Sequence, residues 1–248
     1  MDHTLQSWHR RFQVRRTHRP DFALGHVVCA DERQRAQLAR SLAHFQLGES
    51  GSGAHLFAAA RRLGGDHAVP ALQLFVAEEQ DHARWLGQAV TAMGGTLVAR
   101  HWSAAAFVRL RHLGGARGEM LVLLLAEIVG AGYYRMLAAH AEDPGLRAML
   151  AQIARDESVH LGFQVAWHRP AVQGLGRVQR RLLAGAVWLL FRLVCVVVLL
   201  QHGKALGITG GRWRWWRLTG RLFAHVVAAL LRTPAPARTL SPAVAAAT

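Results

Sequence analysis

Long apolar blocks broken by short polar, glycine or proline stretches run through this chain from residue 31 onward, a pattern that predicts helices and an all-α fold. A first helix is expected over about 31–63, opened by Asp31 with Gln34 three residues on as a weak capping box. Gly48, Gly51 and Gly53 are costly inside a helix and predict an interruption there. A second helix spans about 67–93 and ends at Gly94-Gly95. After a connection over 96–115, a third and a fourth span about 117–141 and 144–167. Asp143 suits an N-cap and Pro144 a first helical position. His168-Arg169-Pro170 is expected to stop the fourth helix. Leu63-Gly64-Gly65-Asp66 and His140-Ala141-Glu142-Asp143-Pro144-Gly145 read as hairpin turns, and the long connection between the hairpins lets helices two and three run parallel.

The ends of the chain read differently. Residues 1–30 form a basic, loosely structured arm in this reading, and 236–248 a flexible tail. Residues 171–235 form an apolar and basic helical extension. Within it, Leu182 to Leu200 is nearly continuous apolar sequence, about long enough to cross a bilayer. Arg192 in its middle would cost roughly 2.5–3.5 kcal/mol on insertion scales. Arg212-Trp213-Arg214-Trp215-Trp216-Arg217 then interleaves arginine with tryptophan, as interfacial membrane helices do. The alternatives are a single span, peripheral contact with a membrane, or a fifth helix packed on the bundle. His202, just past the apolar run, reads either as an ordinary helix-end histidine or as an extra polar group at the site.

Acidic residues inside the apolar blocks change the picture most. Glu49 is followed thirty residues later by Glu79-Gln80-Asp81-His82, and Glu127 thirty residues later by Glu157-Ser158-Val159-His160. Residues three apart share a helix face, so Glu79 and His82 can address one ion, as can Glu157 and His160. The turns lie near the midpoint of each interval, which sets the paired glutamates level across antiparallel hairpins. Ala71–Ala77 and Met120–Ala126 are apolar, and a carboxylate so flanked is costly unless paired or metal-bound. Six candidate ligands follow: Glu49, Glu79, His82, Glu127, Glu157 and His160. Four carboxylates and two imidazoles favour iron or manganese.

At these residues, over about 31–167, the chain resembles the ferritin-like di-iron superfamily. That superfamily includes ferritins, rubrerythrins, bacterial multicomponent monooxygenases, ribonucleotide reductase small subunits and demethoxyubiquinone hydroxylases. The resemblance implies a ferritin-like four-helix bundle with a long crossover, followed by additional C-terminal hydrophobic helices. It implies two iron ions, or manganese or a mixed pair, held by the six residues, with Glu79 and Glu157 bridging. It also implies that Asp156 orients His82 and Glu78 orients His160; the other reading of these two is a surface acid. Ile153 stands where arylamine N-oxygenases carry an extra histidine, and Leu86 where the reductases carry their radical tyrosine. Tyr133 and Tyr134 lie close enough to approach the site, or serve as core or gate residues.

The formal charge is +15, and the last acidic residue is Glu157, so most of the excess positive charge lies in the C-terminal third. Two cysteines, Cys29 and Cys195, are too few for a disulfide framework or a rubredoxin-like iron centre. With no leader peptide legible at the start, a cytoplasmic, peripherally membrane-associated protein is expected. The expected activity is that of a di-iron oxidase or oxygenase, which activates O2 to oxidise or hydroxylate a small apolar, lipid-like substrate. It would need an external reductase, since no flavin or nicotinamide motif is visible. A ferroxidase or other iron-handling protein is the alternative. An RNA-directed hydroxylase ranks below both, because no RNA-binding module accompanies the basic surplus and nucleic acid is not expected as a partner. Self-association is open.

Overall fold

The computed structural model describes residues 2–22, 24–29, 31–64, 68–112 and 114–232, and every regular element among them is helical. Asp31 caps α2 (Glu32–Glu49) by accepting from the amides of Arg33 and Gln34. The helix then breaks over 50–53 and resumes as α3 (Ala54–Gly64). Of the glycines at the break, Gly53 is the one whose backbone demands the residue: its φ is +71°, and a Cβ there would meet Phe57 Cζ at 2.7 Å and Val76 Cγ2 at 2.9 Å. The Gly65-Asp66 half of the expected turn lies outside the described residues. α4 (Val69–Ala92) starts on Pro70 and ends before Gly94, whose φ is +73°.

α2 and α4 run antiparallel. The site of a Gly95 Cβ would meet Ala39, that of Gly87 lies near Gln46, and Gln80 donates to the Gly51 carbonyl. α6 (Gly115–His140) and α7 (Pro144–Gln173) form the second antiparallel pair; Asp143 caps α7 through the Leu146 amide. α7 passes through Pro170 rather than stopping at 168–170. Proline φ is already helical, and it removes only one hydrogen bond in a final turn whose carbonyls are otherwise served: Gly174 N–H donates to Pro170, and Arg180 reaches back to Gln173 and Leu175. The crossover contains its own helix, α5 (Trp102–His112), which packs on α6.

Residues 2–17 are not a loose arm. They form α1 (Asp2–Thr17), which lies on α4 and α7 and buries Leu5 and Phe12 beside Phe75 and Phe163. α8 (Arg177–Ile208) and α9 (Arg212–Leu231) share the main core with the two pairs through Phe191, Cys195, Leu206, Trp215 and Phe223. Arg192 is held between these helices, its guanidinium 4.5 Å from the centre of the Trp216 ring. The expected tail, 236–248, lies outside the described residues. Among the described residues, α6 and α8 are long and apolar enough to cross a membrane; α6 is mostly buried, α8 mostly exposed.

Candidate metal centre

Four helices each deliver part of one cluster. α2 supplies Glu49 at its last turn, α4 supplies Glu79 and His82, α6 supplies Glu127, and α7 supplies Glu157 and His160. The i,i+3 spacing does what helix geometry requires, setting each glutamate beside its own histidine: Glu79 Oε1 is 3.7 Å from His82 Nδ1, and Glu157 Oε2 is 3.8 Å from His160 Nδ1. Glu79 Oε1 also lies 2.9 Å from His160 Nδ1, and Glu157 Oε1 3.6 Å from His82 Nδ1. Both glutamates thus stand between the two imidazoles, whose ring centres are 5.7 Å apart. Glu127 Oε2 sits 3.3 Å from His160 Nδ1. Donor atoms gather within 4.8 Å in two overlapping sets, Glu49-Glu79-His82 and Glu79-Glu127-Glu157-His160, with Glu79 common to both. All six residues singled out by their spacing are brought together.

The outer nitrogens of both histidines are fixed. His82 Nε2 donates to Asp156 Oδ2 and His160 Nε2 to Glu78 Oε2, each at 3.0 Å. Both acids are buried, so the surface-acid reading falls. With Nε2 held by a carboxylate, each ring turns Nδ1 to the interior, the nitrogen whose lone pair becomes available to a cation once the ring is neutral. Asp156 and Glu78 answer in turn to α1 and the segment after it. Arg15 donates to both Glu78 oxygens at 3.1 Å and to Asp156, while Arg19 donates to Asp156 Oδ2 and to the Glu78 carbonyl, each at 3.1 Å. Burial works against ionisation of Asp156 and Glu78, but the histidine and arginine contacts outweigh it and hold both below the usual carboxylate range. The arginines were not identifiable from local pattern. The one hint was a basic run in a chain that later carries acids directly before both ExxH glutamates.

The inner face is electrostatically unsettled. Burial and then the neighbouring Glu79 push Glu49 well up; burial and then Glu127 do the same to Glu157 and, more mildly, to Glu79. Burial opposes charge on His160, yet Glu79 and the other facing carboxylates drive its pKa well above the usual value. Glu79 Oε1, Glu127 Oε2, His82 Nδ1 and His160 Nδ1 are buried without a hydrogen-bond partner. Four oxygen and nitrogen donors aimed at one small volume, under mutual repulsion, fit a divalent cation of hard-to-borderline preference.

Two tyrosines and a histidine complete the surroundings. Tyr134 donates to Glu49 Oε1 at 2.9 Å, whereas Tyr133 pairs with Ser41. His202 is buried, and its Nδ1 lies 2.8 Å from Ser41 Oγ, so it is a polar group near the site and not a solvated helix end. Ile153 and Leu86 are buried core residues. A cavity of about 350 Å³ lies against Glu49, Glu79, Glu127 and Glu157. Phe107 and Leu110 of α5, Leu123 of α6 and Val194 and Val197 of α8 form its apolar walls. Trp102 and Leu193 line it too, and both are exposed, so it opens between α5 and α8. Compared with protein-family models, curated proteins and solved structures, the chain matches none.

Proposed function

We propose that this chain is a di-metal oxidoreductase of the ferritin-like type, using iron and O2 to oxidise or hydroxylate an apolar, lipid-like substrate. The observation that carries the reading is a juxtaposition: four carboxylates floor a cavity whose other walls are mainly hydrocarbon and aromatic, with His44, Ser103, Gln201 and His202 as the remaining polar lining. Glu49, Glu79 and His82 would hold one ion, Glu127, Glu157 and His160 the other. Glu79 and Glu157 each lie near both imidazoles and so stand between the two sets. When bound, the iron pair supplies the O2 chemistry, with electrons from an external reductase.

The protein's own contribution is positional. Asp156 and Glu78 hold both histidines with Nδ1 facing inward. The Tyr134 hydroxyl donates to Glu49 Oε1 and so orients that carboxylate. The walls of α5, α6 and α8 exclude water and accept an apolar molecule. That molecule would arrive from a lipid surface. The outward face of α8 carries exposed Leu182, Leu189, Leu193, Val196 and Leu200, flanked by exposed Trp188 and by Trp213 of α9. The first turns of the helix carry Arg177 and Arg181, which suit anionic headgroups. An iron-handling role has less support, because a ferrous ion gains nothing from an apolar antechamber. Among the described residues, nothing favours RNA over a lipid surface.

The reading is tested by calorimetric binding of an alkyl-substituted phenol to the metal-loaded chain. Val197→Phe, which fills the cavity from α8, a helix that supplies none of the candidate ligands, should weaken binding about tenfold or more with metal content unchanged, a loss of about 1.4 kcal/mol. Equal affinity in parent and variant would remove the cavity from the proposal.

A further inference from the structure

A second cluster of metal-ligating side chains lies apart from the carboxylate centre. His55 of α3, His112 of α5 and Glu119 of α6 offer donor atoms within 4.8 Å of one another. The two imidazole rings stack with centres 3.8 Å apart, and His55 Nδ1 is 2.6 Å from Glu119 Oε2. Glu119 is completely buried, while both histidines reach solvent. Eight residues along α6 separate Glu119 from Glu127, about 12 Å of helix rise, so the two clusters cannot share an ion.

We propose that His55, His112 and Glu119 form a separate binding site for a zinc-class divalent cation, which staples α5 to α3 and α6. Two imidazoles and one carboxylate are a known donor set for zinc, and the exposed side leaves a fourth position for water. The second oxygen of Glu119 lies 3.1 Å from Arg111 Nε, an ion pair in which neither atom has a hydrogen bond, so that oxygen keeps unused acceptor capacity. Arg111 offsets the charge at one oxygen of this buried carboxylate; at the other, a cation would be a stronger partner than the partly exposed His55 imidazole.

The staple has a mechanical reason. α5 has no fully buried side chain, so packing alone holds it weakly, yet it forms one wall of the cavity over the carboxylate centre. Its C-terminal residue is His112. A cation there would tie the end of that wall to the bundle and make the cavity mouth responsive to metal supply.

The inference stands without the di-iron reading, and the test separates them. Co2+ is titrated into the full-length Glu79→Ala chain, which lacks the glutamate common to both ligand sets of the main centre. The expected result is a visible absorption band with the intensity of four-coordinate cobalt, saturating near one equivalent and abolished by Zn2+. Zn2+ should also slow amide exchange over 102–112. Replacing the two exposed histidines together, His55→Asn with His112→Asn, should remove the band and the exchange effect while leaving the helical circular dichroism intact. Absence of the band in the Glu79→Ala chain, or its survival in the histidine double variant, overturns the site. A band without slower exchange of 102–112 overturns the staple.

Discussion

Asp156 accepts from His82, Arg15 and Arg19 at once, so its carboxylate links the N-terminal segment to the candidate ligand shell. Asp156→Asn keeps the shape but can present its amide NH2 to His82, which removes the reason for Nδ1 to face inward. Metal affinity should fall about 10- to 100-fold with the fold retained, measured by competition with a chelator. Arg15→Ala acts on the other side of the same link. It leaves two buried carboxylates sharing one fewer cation and should cost about 3 kcal/mol in denaturant unfolding. His202 supplies a pH test. Burial, with His44 and His101 facing it, lowers its pKa to about 3 from an ordinary 6.5. The unfolded chain therefore binds the extra proton between those values. Its contribution to stability is complete above about pH 6.5 and is lost as pH falls toward 3. His202→Asn should flatten the pH slope of the urea midpoint in that window; an identical slope in the variant would contradict the assignment.

At the scale of elements, the pairs α2/α4 and α6/α7 were legible because spacing, turn residues and caps all point to the same hairpins. The break after Glu49 was legible from its glycines, although only Gly53 uses glycine's freedom. Gly53→Ala should destabilise by about 1–2 kcal/mol from the left-handed backbone alone, with more from the contacts with Phe57 and Val76, read as a lower thermal midpoint. α1 was not legible. The acids that its Arg15 pairs with, Glu78 and Asp156, lie 63 and 141 residues away, and nothing local announces them. The continuation through Pro170 was missed for a related reason: the compensating bonds from Arg180 come from beyond the helix end. The same reasoning explains why Asp156 and Glu78 came into view only through a resemblance, whereas their charge compensation needed the fold.

At the scale of the whole molecule, positive charge and exposed apolar surface coincide on the C-terminal side. The chain carries +15, lacks any acid after Glu157, and exposes Leu182 and Leu200 at 70% and 80% on one helix. Together these make flotation with anionic vesicles an expected behaviour, reduced for neutral vesicles. Replacing Leu189, Leu193 and Leu200 with Asn should release the protein from vesicles without loss of helical content. Persisting flotation of that variant would move the contact elsewhere.

The most direct test of the account is anaerobic loading with ferrous iron, removal of excess, and counting of bound iron together with its Mössbauer spectrum after oxidation. About two irons per chain are expected, as a magnetically coupled pair, with coupling lost in Glu79→Ala. Uncoupled iron, or a coupled pair that survives Glu79→Ala, would contradict it.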